Sequence, residues 1–442
     1  MKQSLRLLAA ALLLFVSAAH AEASPPWGRG ESRGEDLSVW LVTFGPGSDV
    51  ESWWGHASLV VQDRRLHEGR LYNYGMFSFD DKMLMRFAMG RLEFWVGEAG
   101  ISQTLNAYRE ENRSVHIQEL NLLPEERMVI AQALAENVLP EHRDYLYDHY
   151  KDNCATRPRD MIDRAVGGQL KQATVGAGRY TLRDHTHRYT SVSPPISLLL
   201  DFMMNGGIDR PITQQQEAFL PDELERQVAS LHFKNAHGDV VSLAPSSKSY
   251  AESTRKPVPP TPPSYAVWLL LLGGGLGGLA LALGVQTRRG SRWGRIALGS
   301  LQALLGFLYG LPGFLLLVMW VVTNHTVTFH NENLFLSNPL TLLTVPLGIS
   351  LARGKRATAA ARLLSLWRVL LGLVALGVLL KVLPMFHQAN GNILCLLLPL
   401  ELGMGAAAWL AAHPRRLEAL GTNVRALTPA VHGTPDRKAG SR

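Results

Sequence analysis

Five long apolar runs after residue 264 constrain this chain more than any other feature. They are Tyr265–Val285, Ile296–Thr323, a shorter stretch within Leu334–Ala352 that carries Pro339 and Pro346, Leu363–Leu383 and Ile393–Ala412. A helix needs roughly 20 apolar residues to cross a bilayer. Backbone in hydrocarbon must satisfy its own hydrogen bonds, so residues 265–412 are expected to form an all-α transmembrane bundle of about five helices. The connections alternate in charge. One set carries Arg288, Arg289, Arg292 and Arg295, then Arg353, Lys355, Arg356 and Arg362, then Arg415 and Arg416. The other, residues 324–333 and 384–392, has no Lys or Arg. Basic loops stay in the cytoplasm. The uncharged loops then share the outer side with residues 22–264, and residues 413–442 form a basic cytoplasmic tail. The expected location is the cytoplasmic (inner) membrane, multi-pass, with the N-terminal domain on the periplasmic side.

The N-terminus agrees with that orientation. Lys2 and Arg6 precede the short apolar run Leu7–Phe15, and Ala19-His20-Ala21 has the small-x-small form of a cleavage site. Residues 1–21 therefore read as a signal peptide cut after Ala21, with an uncleaved anchor as the alternative. The net charge of +7 suggests a nucleic-acid partner only until it is divided. Residues 22–264 hold 26 Lys/Arg and 33 Asp/Glu, so the excess positive charge belongs to the signal and the membrane loops. No nucleic-acid motif accompanies it.

Residues 22–36 are polar and Gly/Pro-rich and read as a flexible leader. Residues 37–235 mix two periodicities. Alternating or β-branched runs at 37–44, 56–62, 66–74, 92–96 and 114–120 predict strands, and 80–89, 124–138, 155–166, 196–205 and 213–231 predict helices. The expectation is an α+β domain large enough to bury its own core. Residues 236–264 end in Lys256-Pro-Val-Pro-Pro-Thr-Pro-Pro-Ser264 and read as a stiff, extended linker.

The chemistry concentrates in Tyr147-Asp-His-Tyr-Lys-Asp-Asn153-Cys154-Ala-Thr-Arg157-Pro-Arg159-Asp160. The two cysteines, Cys154 and Cys395, fall in different regions and form no disulfide framework. Cys154 opens a predicted helix, with Asn153 or Asp152 as its cap. Unpaired N–H groups at a helix start favour thiolate, and Arg157 and Arg159 add positive charge, so a lowered thiol pKa is expected. The competing reading is a small buried cysteine and arginines paired with Asp160 or Asp163. A nucleophilic thiol needs a base, and His56 stands where a turn becomes a strand. If the following hairpin turns near residues 64–65, His56 faces residues 72–74, of which Asn73 is the polar member able to orient it. His67 is the runner-up but falls near that turn. No histidine, cysteine or acid cluster has convincing ligand spacing, so neither metal nor cofactor is expected.

Several motifs carry a resemblance. Val42-Thr43-Phe44-Gly45-Pro46-Gly47, Gly55-His56-Ala57, Tyr72-Asn73-Tyr74-Gly75 with Phe77, Asp152-Asn153-Cys154, Gly207-x-Asp209-Arg210-Pro211 and Phe219-Leu220-Pro221 resemble the Lnb N-terminal periplasmic domain family. The likeness covers roughly residues 36–235 and extends to the Asn/His loop at 324–333. That family is similar to permuted papain-like thiol enzymes of the NlpC/P60 and lecithin–retinol acyltransferase kind, in which the histidine precedes an Asn-Cys helix. The resemblance implies a permuted papain-like domain and lipoprotein N-acylation, from a phospholipid acyl donor to the N-terminal amine of a lipidated cysteine. It assigns Cys154 as nucleophile, His56 as base and Asn73 as the third member. Tyr147 is a candidate oxyanion donor, and Arg157, His325 and Asn331 are substrate-side candidates. Two other functions remain open at this stage: a cell-wall thiol peptidase or amidase, and a non-enzymatic envelope assembly module.

Overall fold

The computed structural model describes residues 24–77 and 83–413. The signal peptide 1–21 and nearly all of the tail 413–442 lie outside the described residues. The chain forms two compact units. One joins the described residues up to Tyr265 with Leu315–Asn333 and Lys381–Asn392; the other comprises Ala266–Phe314, Leu334–Leu380 and the chain from Ile393.

The first unit is built on strands β1 (Leu37–Phe44), β2 (His56–Asp63), β3 (Glu68–Met76), β4 (Glu93–Ala99), β5 (Val115–Glu119), β6 (Asp144–Leu146), β7 (His232–Lys234), β8 (Val240–Ser242) and β9 (Ser247–Ala251). Seven of them form one sheet in the order β6-β4-β3-β2-β1-β5-β9, antiparallel throughout, while β7 and β8 pair separately. Its helices are α1 (Met83–Ala88), α2 (Ile101–Glu110), α3 (Pro124–Asn137), α4 (Thr156–Ala165), α5 (Gln169–Ala173), α6 (Leu182–Thr190), α7 (Pro194–Met203), α8 (Gln214–Glu217) and α9 (Pro221–Ser230). Side chains alternate across a strand, and both faces of β1 and β2 are apolar. Leu37, Val39, Leu41, Leu59 and Val61 pack with Ile130 and Leu134 of α3, Ile162 of α4 and Leu224 of α9. Val42, Phe44 and Val60 face the other way, against Leu105 of α2. The central strands are therefore sandwiched, and the α+β expectation holds.

Four local expectations change. Residues 24–36 are not a loose leader: Trp27 is buried in the main core and its indole N–H donates to Tyr72 Oη at 3.0 Å. The Pro-rich segment is not a free spacer. It adds β9 to the sheet edge, and the Pro259 and Pro260 carbonyls accept from Arg188 Nε and Tyr180 Oη, both at 2.9 Å. The helix expected over 213–231 is two, because Pro221 lacks an N–H and starts a new helix rather than continuing one. Helices α2 and α6 were not anticipated. In α2 the only buried residue is Leu105, and α6 buries Arg183, His185 and Arg188 rather than an apolar stripe, so neither shows a helical hydrophobic period.

The second unit carries most of the five helical segments long and apolar enough to cross a membrane: Ala266–Arg288, Arg292–Val322, Glu332–Ala352, Ala357–Leu380 and Gly391–Ala412. The third is broken, as its prolines suggest. A 3₁₀ turn, Pro339–Leu343, precedes the α-helix Thr344–Ala352. Small residues let helices approach closely in lipid. Gly277 and Gly403 meet backbone to backbone, and Gln302 ties two other helices together by accepting from Trp367 Nε1 at 2.9 Å and donating to the Met404 carbonyl at 3.1 Å.

Candidate active site

Cys154 sits just before α4, and Asn153 holds it there. The Asn153 Oδ1 accepts the backbone N–H groups of Ala155 and Thr156, both at 2.9 Å, which caps the helix. Its Nδ2 donates to the carbonyls of His149 at 2.7 Å and Phe219 at 2.9 Å. This buried amide has no spare freedom, so the half-buried thiol beside it is fixed in place.

The sheet makes room for that thiol. Pairing of β2 with β3 stops at Ser58 opposite Asn73. Beyond that point β3 bends at Gly75, whose φ of +94° suits glycine and whose Cα faces the Cys154 Cβ. Ala57 is still paired with Thr43 of β1 but lies beyond the β2–β3 pairing, and its backbone N–H favours the charged form of the Cys154 sulfur. His56 is the preceding residue. Gly55 sets its entry with a φ of +80°, and a Cβ there would lie 2.7 Å from the Phe44 carbonyl oxygen.

His56 and Asn73 meet, though not by the expected register. The turn comes slightly later than residues 64–65, because Asp63 accepts the N–H groups of Arg65 and Leu66 at 2.9 Å each and His67 takes φ +56°. Ser58, not His56, is thus opposite Asn73. His56 shares a face with Ser58 and reaches Asn73 diagonally. Asn73 Oδ1 accepts from His56 Nε2 at 3.1 Å and from Ser58 Oγ at 2.6 Å. That bond puts the imidazole proton on Nε2 and leaves Nδ1 as the basic nitrogen.

The electrostatics differ from the sequence expectation. Arg157 is turned away: it grips Asp152 through Nε at 2.6 Å and Nη2 at 2.9 Å, and its guanidinium lies 3.7 Å from the Tyr145 ring centre. Arg159 binds Asp160 and the Gln215 carbonyl. The cation that acts on the thiol is Arg113, from the turn between α2 and β5. It is buried, its Nε donates to the Gly45 carbonyl at 2.7 Å, and its Nη2 has no hydrogen-bond partner among the described residues. It lies over the Tyr108 ring, which stacks in turn on Phe44 and, nearly parallel, beside His56. Burial pushes the Cys154 thiol up to about 11, against the pull of the Ala57 N–H and of Arg113. Burial, helped by Arg113, holds His56 down at about 4. The resting pair is therefore neutral thiol and neutral imidazole across physiological pH. Alkylation rate against pH should show a midpoint above the roughly 8.5 of a free cysteine. A midpoint below that value would contradict this electrostatic account.

A family model described as the Lnb N-terminal periplasmic domain matches residues 23–188, and one described as the Lnb transmembrane domain matches residues 261–406. This chain belongs to the Lnb family. No curated protein and no solved structure matches it. As a family member it is a multi-pass inner-membrane protein with a periplasmic N-terminal domain.

Five of the six Lnb motifs noted in the sequence contribute to the site, and the sixth, which carries Asp209, holds the outer loops instead. Gly45 supplies the carbonyl that holds Arg113, and the Phe219 carbonyl locks Asn153. Asp209 is part of a buried cluster: it accepts from Arg183 Nε at 2.5 Å and from the Ala389 N–H at 2.9 Å. Tyr147 stacks on Phe94 at 4.5 Å, and burial together with the neighbouring thiol keeps its phenol protonated. His149 lies close by: its Nε2 is buried with no hydrogen-bond partner among the described residues, and its ring packs edge-on against Trp54, two residues from His56.

The two outer loops of this Lnb chain are gripped by the 202–209 segment. Asn331 Nδ2 donates to the carbonyls of Phe202 at 3.1 Å and Met203 at 2.8 Å, while its Oδ1 accepts from Asn333 N and Gln388 Nε2. Asn331 is thus fully occupied in holding the loop. His325 Nε2 bonds the Phe87 carbonyl at 2.9 Å, at the end of α1. Among the described residues, no contact brings either of them to Cys154.

Proposed function

We propose that this protein is a membrane-bound lipoprotein N-acyltransferase that moves an acyl chain from phospholipid to the N-terminal amine of a lipidated cysteine through a thioester on Cys154. The observation that supports the reading is the thiol at the gap of the sheet, acted on by the backbone N–H of Ala57, the residue that follows a histidine oriented by Asn73, in a chain that also has the Lnb membrane domain.

The neutral pair sets the order of events. His56 Nδ1 takes the thiol proton as sulfur attacks the ester carbonyl, so no standing thiolate is needed. The Ala57 and Cys154 N–H groups, which both favour the charged form of the sulfur, are the donors proposed for the oxyanion that follows. Arg113 supplies positive charge from behind. Collapse breaks the ester C–O bond, His56 returns its proton to the leaving oxygen, and a lysophospholipid departs. The acceptor amine then attacks the thioester, His56 takes its proton, and the sulfur leaves as the thiol. A cell-wall peptidase would use the same residues but leaves five membrane spans without a purpose.

Arg113→Ala should lower kcat by up to about a hundredfold, the low end of what loss of a directly bonded oxyanion donor costs, because Arg113 acts through its charge. Arg113→Lys should keep part of the rate, since the charge stays while the planar fork is lost. Equal rates in wild type and Arg113→Ala would remove Arg113 from the mechanism. The function itself is tested by mass spectrometry of a lipoprotein N-terminal peptide from cells with and without this protein. Loss of one acyl chain is expected without it, and unchanged N-acylation would refute the assignment.

A further inference from the structure

We propose that α1, Met83–Ala88, is an interfacial anchor whose Leu84, Met85 and Phe87 side chains sit in the periplasmic leaflet of the phospholipid bilayer. These three large apolar residues are 76%, 67% and 53% exposed on a helix of six residues. Single exposed apolar residues need no explanation, but a cluster of three marks an interaction surface.

The neighbours of α1 identify the partner as lipid. Its C-terminal end is hydrogen-bonded to the loop that leaves the span Arg292–Val322. The Asn324 N–H donates to the Met89 carbonyl at 2.9 Å, and His325 Nε2 to that of Phe87. Leu315–Val322, the last turns of that span, belong to the same compact unit as α1. Asn324 is two residues beyond Val322, so Met89 is tied to a point within roughly 7 Å of chain from the span's end. Interfacial helices bury their apolar side roughly 5–10 Å deep, at the headgroup boundary. The apolar side chains of α1 therefore lie near the outer end of a span, within reach of the headgroup boundary.

The same segment leads to the thiol. Phe77 lies before α1 and Phe94 after it, and their rings are 5.2 Å apart. Phe94 stacks on Tyr147, whose phenol is close enough to Cys154 for the charge on that sulfur to help keep it protonated. An aromatic row thus joins the segment that would enter the leaflet to the sulfur that would receive a chain from it. This makes α1 the bilayer contact of the proposed acyltransferase site, but its test needs no turnover.

Single cysteines at 84, 85 and 87, in a full-length background with Cys154→Ser and Cys395→Ser, would carry an environment-sensitive fluorophore. The protein would be reconstituted in phosphatidylethanolamine/phosphatidylglycerol vesicles. Phospholipids doxyl-labelled high on the acyl chain should quench all three positions at least twofold more than a control label at Val240, which is 72% exposed on β8. Quenching no stronger than at Val240 would overturn the proposal. So would labels shielded from both the doxyl lipid and aqueous iodide, which would mean that protein covers α1. Either failure leaves the thiol chemistry untouched, because the labelled protein carries no Cys154.

Discussion

Replacing Cys154 by alanine should leave acyl transfer at background while the domain stays folded. The change deletes one sulfur at a half-buried position. The capping amide of Asn153, with its bonds to Ala155, Thr156, His149 and Phe219, is untouched. The stability cost should be about 1 kcal/mol, typical of a single small truncation, and readable as a shift of a few degrees in Tm. The loss of transfer should be complete, because no other thiol among the described residues lies in the first unit. Cys154→Ser should retain a trace of donor cleavage. A hydroxyl attacks poorly at neutral pH, and the site offers general-base help but no strong electrostatic activation. Transfer by Cys154→Ala at the wild-type rate would mean that the sulfur is structural.

His56→Ala should slow the reaction on the order of 10²- to 10⁴-fold at pH 7, the span attributed to a positioned general base. The pH profile carries more information than the rate. With its pKa held near 4, His56 is neutral, and therefore basic, throughout the range above that value. Wild-type kcat should be flat across neutral pH and fall only as the solution acidifies towards pH 4. In His56→Ala that acid limb should disappear. The rate should instead climb with pH as thiolate forms, towards the thiol's value of about 11. An unchanged acid limb in His56→Ala would assign the base to another group.

The three residues at the centre were legible because each sits in a short local motif. Cys154 and Asn153 share a helix start, His56 a turn-to-strand boundary, and Asn73 one hairpin with His56. The hairpin register was slightly off, yet the pairing survived because residues two apart on a strand share a face. Arg113 was not legible. In sequence it is one member of the charged turn Glu111-Asn112-Arg113-Ser114, and its role depends on a carbonyl 68 residues away. Arg157 misled for the opposite reason: it is close to Cys154 in sequence, but Asp152 and Tyr145 claim it. Trp27 and the segment after residue 235 looked loose because their partners, Tyr72, β5 and α6, are distant in sequence. The membrane spans needed no such contacts, since length and hydropathy alone define them.

The account rests on sulfur storing the acyl chain, and intact-mass measurement tests that directly. The purified full-length protein would be incubated with phospholipid and no lipoprotein acceptor. Wild type should gain the mass of one acyl chain, on Cys154 and removable by neutral hydroxylamine, which cleaves thioesters and spares most oxygen esters. Cys154→Ala should gain nothing. Turnover of phospholipid by wild type with no adduct on Cys154, or an adduct of the same mass on Cys154→Ala, would contradict the thioester mechanism.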